Sequence, residues 1–274
     1  MRRRHTLKGL IAALVVVGAQ AATAGTPCEQ GTPDAQTTAK AFSMAEKTRE
    51  ALGALDDQVV LIARAGQNLR RYGLGYSHMG FAVRQSDGGW ALVHKLNQCG
   101  TATSALYDEG LVNFFSDSPF RYQAGIWRLE PAVQNRLARA LSGKKANDYH
   151  EPAYSMLAYP FSTKNQNSNG WLLEVLAFTL APQDEANTRT SAQAWLRSQA
   201  YAPGTLELGT FTRLGARLTR ANVSFDDHPD EQRWAGRIQT VTVDSVLQWL
   251  RTLPDGCRDK GCPEIRVELE DREP

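Results

Sequence analysis

Apolar positions recur at helical spacing in some stretches of the chain and cluster at strand spacing in others. Within 39–55 the apolar side chains fall three or four residues apart, which predicts an amphipathic helix. The β-branched run 58–63 predicts a buried strand, and the apolar spacing of 105–115 predicts a second helix. Pro131 stands where the first residue of another helix is expected, and the pattern carries that helix to about Leu141.

A β-hairpin is predicted between two alternating segments. Residues 77–84 and 90–97 read as strands, and Asp87, Gly88 and Gly89 supply turn chemistry between them. A further strand is predicted over 123–129. The first half of the chain therefore predicts several antiparallel strands, with helices before and after them.

Helical patterns dominate the second half. Residues 168–180 and 191–200 predict helices, 238–243 predicts a strand, and Asp244 is expected to cap a helix ending near Leu253. Together with the first half this layout predicts an α+β fold, with an antiparallel sheet packed against helices and extra C-terminal helices and a strand. Residues 25–274 are expected to form one domain, with 203–274 open as an appended subdomain.

The first 24 residues carry the features of an export signal. Arginines and a lysine at 2–8 precede the short apolar stretch 9–19, and the small residues 22–24 resemble a cleavage site. The apolar stretch is too short to span a bilayer. General secretion is favoured over twin-arginine export or retention as an anchor. We therefore expect residues 1–24 to be a signal peptide and the protein to be periplasmic or secreted.

Composition narrows the class of protein and of partner. An apolar fraction of 42%, a charged fraction of 22% and a net charge of +2 are those of an ordinary globular protein. No basic stripe indicates nucleic acid, no later stretch is apolar enough for a transmembrane helix, and no motif indicates a cofactor. Four cysteines in an exported chain favour two disulfides, Cys257 with Cys262 and Cys28 with Cys99.

Candidate chemistry converges on Ser168, at the predicted start of a helix. Helix starts favour negative charge, and His78 at the start of a predicted strand is a candidate base for the hydroxyl. Asn97 and His94 on the partner strand are candidates to orient the imidazole. With a two-residue turn, position 78 faces 97, which favours Asn97, whereas a turn one residue longer reverses the parity. The neighbours expected to contact substrate are Gln166, Asn167, Asn169 and Trp171.

Structural roles compete with each of these interpretations. The hydroxyl of Ser168 is also a good helix N-cap, and His78 is equally compatible with a structural histidine. Asp226, Asp227 and His228 contain metal-ligand groups, but a turn before Pro229 is the favoured interpretation.

Five segments of the chain carry a resemblance to a known family: 61–67, 76–83, 90–100, 166–169 and 222–229. With these segments the chain resembles a bacterial family called domain of unknown function 2145. More distantly, the motif Ser77-His-Met-Gly80 and the order of histidine strand, polar strand and later nucleophile helix resemble circularly permuted papain-like enzymes. Those enzymes include cell-wall amidases and lecithin-retinol acyltransferase relatives, and they use cysteine where this chain has Ser168.

The papain-like resemblance implies a permuted papain-like core and acyl chemistry. We expect a Ser/His-dependent hydrolase or acyltransferase that acts on an amide or ester of the cell envelope. The alternative is a non-catalytic periplasmic module that uses the same cleft to bind a peptide, a glycan or a lipid.

Overall fold

A six-stranded antiparallel sheet organises the computed structural model, which describes residues 34–117 and 119–270. In these ranges the strands are β1 Val59–Arg64, β2 His78–Arg84, β3 Trp90–Asn97, β4 Ser104–Gly110, β5 Gln123–Arg128, β6 Gly204–Glu207, β7 Arg237–Thr240 and β8 Ile265–Glu268. The main sheet has the order β4-β3-β2-β1-β5-β8, and β6 and β7 form a separate pair. The predicted α+β class, with an antiparallel sheet packed against helices, is confirmed.

Helices cover both faces of the sheet. They are α1 Ala35–Gly53, α2 Leu111–Phe115, α3 Pro131–Ser142, α4 Ser168–Leu180, α5 Arg189–Ser198, α6 Thr210–Thr219, α7 Asp230–Trp234 and α8 Val243–Leu250. Side chains alternate between the faces of a strand, so Leu61 and Phe81 pack with α3, α4 and α8, whereas Val60 and Ala82 pack with α1 and α2. No helix within the described ranges is long and apolar enough to cross a membrane.

The sheet opens between β2 and β3. Their pairing ends at Phe81 opposite Val93, although β2 continues along β1 as far as His78 and β3 continues along β4 as far as Asn97. The start of α4 fills the gap, where Oδ1 of Asn169 accepts the Met79 N–H at 3.1 Å. A helix start therefore lies against the end of the strand that carries His78.

Two local predictions are wrong. Residues 105–115 form strand β4 followed by the short helix α2, rather than one helix. Because β4 is a half-buried edge strand, its side chains lack the strict alternation that marks a strand. Asp244 does not cap α8; Thr242 does, through a capping box with Ser245, and Asp244 lies in the first turn.

The C-terminal quarter of the chain takes part in two structures. The pair β6–β7 packs around a small apolar cluster that includes Leu206, Phe225 and Ile238. Strand β8 instead joins the main sheet beside β5. Residues 203–270 therefore contribute both to a separate cluster and to the edge of the central sheet.

One of the two predicted disulfides lies within the described residues. Cys257 and Cys262 are bonded and close a short loop after α8. Cys28 lies outside the described residues, as does the expected signal peptide at 1–24, so both stay predictions. No cysteine of the described ranges is free.

Candidate functional site

A cleft of about 440 Å³ lies where β2 and β3 separate. His78, Asn97, Asn167, Ser168 and Asn169 are among the described residues that line it. His94, Gln166 and Trp171 are not among its lining residues. The structure therefore brings together the predicted base and the predicted nucleophile, and it moves three of the other candidates into the protein interior.

The hairpin turn is one residue longer than the two-residue turn that favoured Asn97. Arg84 pairs with Trp90 and the Gln85 N–H donates to the Gly89 carbonyl, which leaves three residues in the loop. This shift reverses the parity and places Gly80 opposite His94. A Cβ on Gly80 would lie 2.9 Å from Cβ of His94, so the glycine makes room for that ring. The register that favoured Asn97 is therefore wrong, and the ring beside that of His78 is the imidazole of His94.

A chain of hydrogen bonds runs from the cleft into the protein through three side chains. Nε2 of His78 lies 2.8 Å from Nδ1 of His94, and Nε2 of His94 lies 2.9 Å from Oε1 of Glu109. The side chain of His94 is fully buried, while that of Glu109 is 18% exposed. We call this chain the histidine relay.

The carboxylate of Glu109, at one end of the histidine relay, influences which ring nitrogens of the relay carry protons. An ionised Glu109 only accepts, so Nε2 of His94 donates to it, and when His94 is neutral its Nδ1 is left as an acceptor. Nε2 of His78 then donates to His94, which leaves Nδ1 of His78 with a free lone pair. No described residue hydrogen-bonds to that Nδ1 atom. The histidine relay therefore ends in an unprotonated imidazole nitrogen.

Electrostatics favour an ionised Glu109 and an uncharged His78. Burial alone would raise the pKa of Glu109, but the hydrogen bond from His94 and the positive charge of Arg64 outweigh it and lower that pKa. Burial, followed by the positive charge of Arg64, holds the pKa of His78 well below its usual range. At neutral pH the relay consequently holds an ionised carboxylate and a neutral His78.

Ser168 is the first residue of α4, and Asn167 is its N-cap. Oδ1 of Asn167 accepts the Gly170 N–H at 2.7 Å, so the N-cap interpretation of Ser168 is wrong. The hydroxyl faces the buried phenol of Tyr154; burial raises the pKa of Tyr154, and contact with Ser168 offsets part of that effect. Within the described residues no hydrogen bond joins Ser168 to His78.

The two asparagines beside Ser168 hold backbone in place. Oδ1 of Asn169 accepts a hydrogen bond from the Met79 N–H, and Nδ2 of Asn169 donates to the Ser77 carbonyl at 3.4 Å. Asn169 therefore binds the backbone on both sides of His78. Nδ2 of Asn167 donates to Oγ1 of Thr240 at 3.0 Å. Both amides line the cleft, but these bonds tie α4 to β2 and to the end of β7.

Trp171 and Gln166 lie inside the protein. Trp171 is fully buried, packs edge-on against Phe81 and donates from Nε1 to the Ala146 carbonyl at 3.1 Å. Gln166 is 2% exposed and belongs to a second buried polar network. Neither side chain is placed to contact a ligand in the cleft.

We call this second group of side chains the lysine network. It lies on the α4 face of the sheet and consists of Lys95, Glu151, Gln166, Glu174, Arg189 and Gln193. Nζ of Lys95 meets the carbonyls of Glu151 and Gln166 and Oε1 of Gln166, between 2.7 and 3.3 Å. Burial and the charge of Arg189 lower the pKa of Lys95 to about 7, whereas burial raises the pKa of Glu174.

The second polar cluster of the sequence is a turn, as favoured. Nδ1 of His228 lies 2.9 Å from Oδ1 of Asp227, and its Nε2 lies 2.8 Å from the Gln239 carbonyl. Oδ2 of Asp227 accepts the Tyr159 N–H at 3.0 Å. Both ring nitrogens and both carboxylate oxygens are thus engaged within the protein, and the described residues contain no group of three ligands suited to a metal.

Glu109 is the residue that sequence reasoning missed. It lies opposite Leu92 in the β3–β4 pairing, on the face that His94 also occupies. Because 105–115 reads as a helix, nothing in the pattern places Glu109 beside the hairpin. A strand assignment over Ser104–Gly110, combined with the three-residue turn, would have identified it.

Comparison with known proteins identifies a family. The model of a family described as an uncharacterized protein conserved in bacteria (DUF2145) matches residues 51–250, a range that holds His78, His94, Glu109 and Ser168. No curated protein matches the chain, and no solved structure matches it.

Proposed function

The chain belongs to the domain of unknown function 2145 family, and we propose that it is a Ser/His-dependent hydrolase or acyltransferase. One observation carries the proposal: the histidine relay leaves Nδ1 of His78 without a partner among the described residues, in a cleft that Ser168 also lines at a helix start. Burying two imidazoles and a carboxylate costs free energy unless they are paired. A paired chain with one open end at a cleft is an arrangement that prepares a base.

The reaction would follow the order of an acyl transfer. With substrate in the cleft, Nδ1 of His78 takes the proton of Ser168 as Oγ attacks the carbonyl carbon. The imidazolium that forms is stabilised through His94 by the negative charge of Glu109. His78 then returns the proton to the leaving amine or alcohol, and water or a second acceptor releases the acyl group from Ser168.

The start of α4 would support the oxyanion. Backbone N–H groups at a helix start point outward, and the helix dipole favours negative charge there. The Gly170 N–H is already taken by Asn167, so we assign the oxyanion to the N–H groups of Ser168 and Asn169.

The wider setting of the proposal is the cell envelope. We propose that residues 1–24 direct export to the periplasm or the medium, and that the substrate is an amide or ester found there. The order of His78 on β2, His94 on β3 and Ser168 on α4 supports a permuted papain-like core, in which serine stands in place of cysteine.

A second function is favoured by one observation: no hydrogen bond links Ser168 to His78. A non-catalytic binding module that uses the same cleft would need none. In that case Nδ1 of His78 accepts a hydrogen bond from a bound peptide, glycan or lipid, and Ser168 contributes a polar contact.

Covalent labelling with a fluorophosphonate separates the two functions. We expect the label on Ser168, located by peptide mass spectrometry, with none on the Ser168→Ala protein. His78→Ala should slow labelling by about 10²–10⁴, the usual contribution of a general base. A folded protein in which Ser168 is never labelled would leave the binding module as the function. If the Ser168→Cys protein nevertheless hydrolyses a model ester, and if this activity requires His78, the cleft can support catalysis and the serine is what makes it inactive.

A further inference from the structure

Apolar side chains from separate segments of the chain line the cleft. Leu69 and Leu74 come from the connection between β1 and β2, Met156 and Leu157 from the connection before α4, and Leu206 from β6. We call these five residues the leucine wall. His78 and Ser168 line the same cleft, so its lining is both polar and apolar.

Packing behind the leucine wall fixes its shape. Leu206 belongs to a buried cluster with Val223, Phe225 and Ile238, and Leu74, Met156 and Leu157 pack against that cluster. Apart from Leu206, the leucine wall is only partly buried, so part of its apolar surface is left uncovered by the described residues. Apolar surface of this kind gains free energy when a ligand covers it.

Charge in the cleft is balanced internally. Among the described lining residues only Arg64 and Asp117 have side chains that are charged at neutral pH, and they form an ion pair with each other. A charged ligand would lose its hydration without meeting an opposite charge that is free to pair with it, which is costly. An uncharged ligand avoids that cost.

We propose that the cleft takes an uncharged acyl chain, as in a fatty amide or ester, with the chain along the leucine wall and the carbonyl near Ser168 and His78. The placing of the carbonyl rests on the proposed function, whereas binding of the chain does not require turnover. A volume of about 440 Å³ lies within the range of sites for small organic ligands. A glycan, rich in hydroxyl groups, would leave the leucine wall uncovered.

Calorimetric titration of the full-length Ser168→Ala protein with N-acyl ethanolamides of increasing chain length tests the inference. Since the variant cannot form an acyl-serine at this position, the measurement reports binding alone. We expect affinity to rise about fourfold for each added CH₂ until the cleft is filled. The alkanoate of the same length should bind more weakly, because its carboxylate has no free cation to meet.

Leu69→Gln and Leu214→Gln form a matched pair of variants. Leu69 lines the cleft, while Leu214 is 54% exposed on α6 and is not among the described lining residues. Leu69→Gln should weaken binding of the longest chain at least tenfold, and Leu214→Gln should not change it. Thermal unfolding of both variants checks that each is folded.

Affinity that does not depend on chain length, equal loss in the two variants, or preference for the alkanoate would overturn the acyl-chain assignment. These outcomes are independent of labelling at Ser168. A protein that is labelled but shows no dependence on chain length keeps the proposed function and loses this inference. A protein that binds long chains but is never labelled keeps this inference and loses catalysis.

Discussion

Two buried polar groups of side chains lie on opposite faces of one sheet, and they start from adjacent residues of β3. His94 points toward α2 and belongs to the histidine relay, and Lys95 points toward α4 and belongs to the lysine network. In the lysine network each charged group meets a partner: the three N–H bonds of Lys95 have three acceptors, and Glu174 pairs with Arg189. In the histidine relay Nδ1 of His78 has no described partner and lies at a cleft.

The difference separates a structural role from a chemical one. In the lysine network every charged group is already paired, so none is free to bind a ligand. The network instead holds β3, α4 and α5 together. In the histidine relay Nδ1 of His78 is positioned as a proton acceptor, and under the proposed function a bound substrate brings the donor to it. Burial and hydrogen bonding are alike in the two cases, so the unpaired atom is the feature that indicates function.

The largest effect on stability should come from opening the saturated network. Glu174→Ala breaks the buried ion pair with Arg189 and removes one acceptor each from the side-chain amides of Gln166 and Gln193. We expect the free energy of unfolding to fall by about 3–5 kcal/mol, as for a broken buried ion pair. Urea unfolding measures it. Glu46→Ala, which breaks an exposed pair with Arg49, is the control and should be nearly neutral; an equal loss in both would refute the structural role.

A smaller loss of stability is expected from breaking the hydrogen bonds between the start of α4 and β2. Asn169→Ala removes the acceptor of the buried Met79 N–H, and an unsatisfied buried donor costs about 1–3 kcal/mol. The same unfolding experiment measures the change. Because Asn169 holds the chain on both sides of His78, the variant should also slow labelling of Ser168 in protein that is still folded. Unchanged stability together with weaker ligand binding would show that Asn169 is a ligand contact instead.

A third effect is a difference in the pH dependence of stability. Lys95 has a pKa of about 7 in the folded protein and near 10.5 when unfolded, so between these values the unfolded chain binds more protons. The free energy of unfolding therefore gains a contribution that rises with pH from about 7 to about 10.5. Lys95→Met should lack that contribution, which unfolding at several pH values reveals. If the two proteins show parallel pH profiles of stability, the folded protein does not lower the pKa of Lys95, and the ammonium group is not held in a water-excluded network.

Much of the framework follows from local sequence. The apolar spacing of 39–55, the proline at 131 and the polar start at 168 each correspond to a helix, and the hairpin strands are where alternation puts them. The hairpin pairing failed because one extra turn residue exchanges the faces of every later position. The partners of His94 are set by pairing with an edge strand whose own pattern is weak. Contacts of that kind depend on tertiary packing, which no local pattern encodes.

The predicted substrate contacts divide into two groups: Asn167 and Asn169 line the cleft, whereas Gln166 and Trp171 lie in the interior. Polar residues around Ser168 suggested a binding surface, but Gln166, Asn167 and Asn169 satisfy backbone and side-chain groups where the sheet opens. A sequence shows which residues are able to form hydrogen bonds. It does not show which of these bonds the fold itself uses, and the apolar residues of the leucine wall gave no motif at all.

Glu109→Gln and Glu174→Gln make the same small change in the histidine relay and in the lysine network, respectively. The rate at which a fluorophosphonate labels Ser168 distinguishes the roles of the two networks. This rate is corrected for the fraction of folded protein. An amide at 109 can donate to Nε2 of His94, which reverses the protons of the histidine relay and puts one on Nδ1 of His78. We predict that Glu109→Gln slows labelling by about 10²–10⁴ with little loss of stability, and that Glu174→Gln lowers stability while folded protein is labelled at the normal rate. Equal labelling rates in the Glu109→Gln and unmodified proteins would contradict the proposal that the histidine relay prepares His78 as a base.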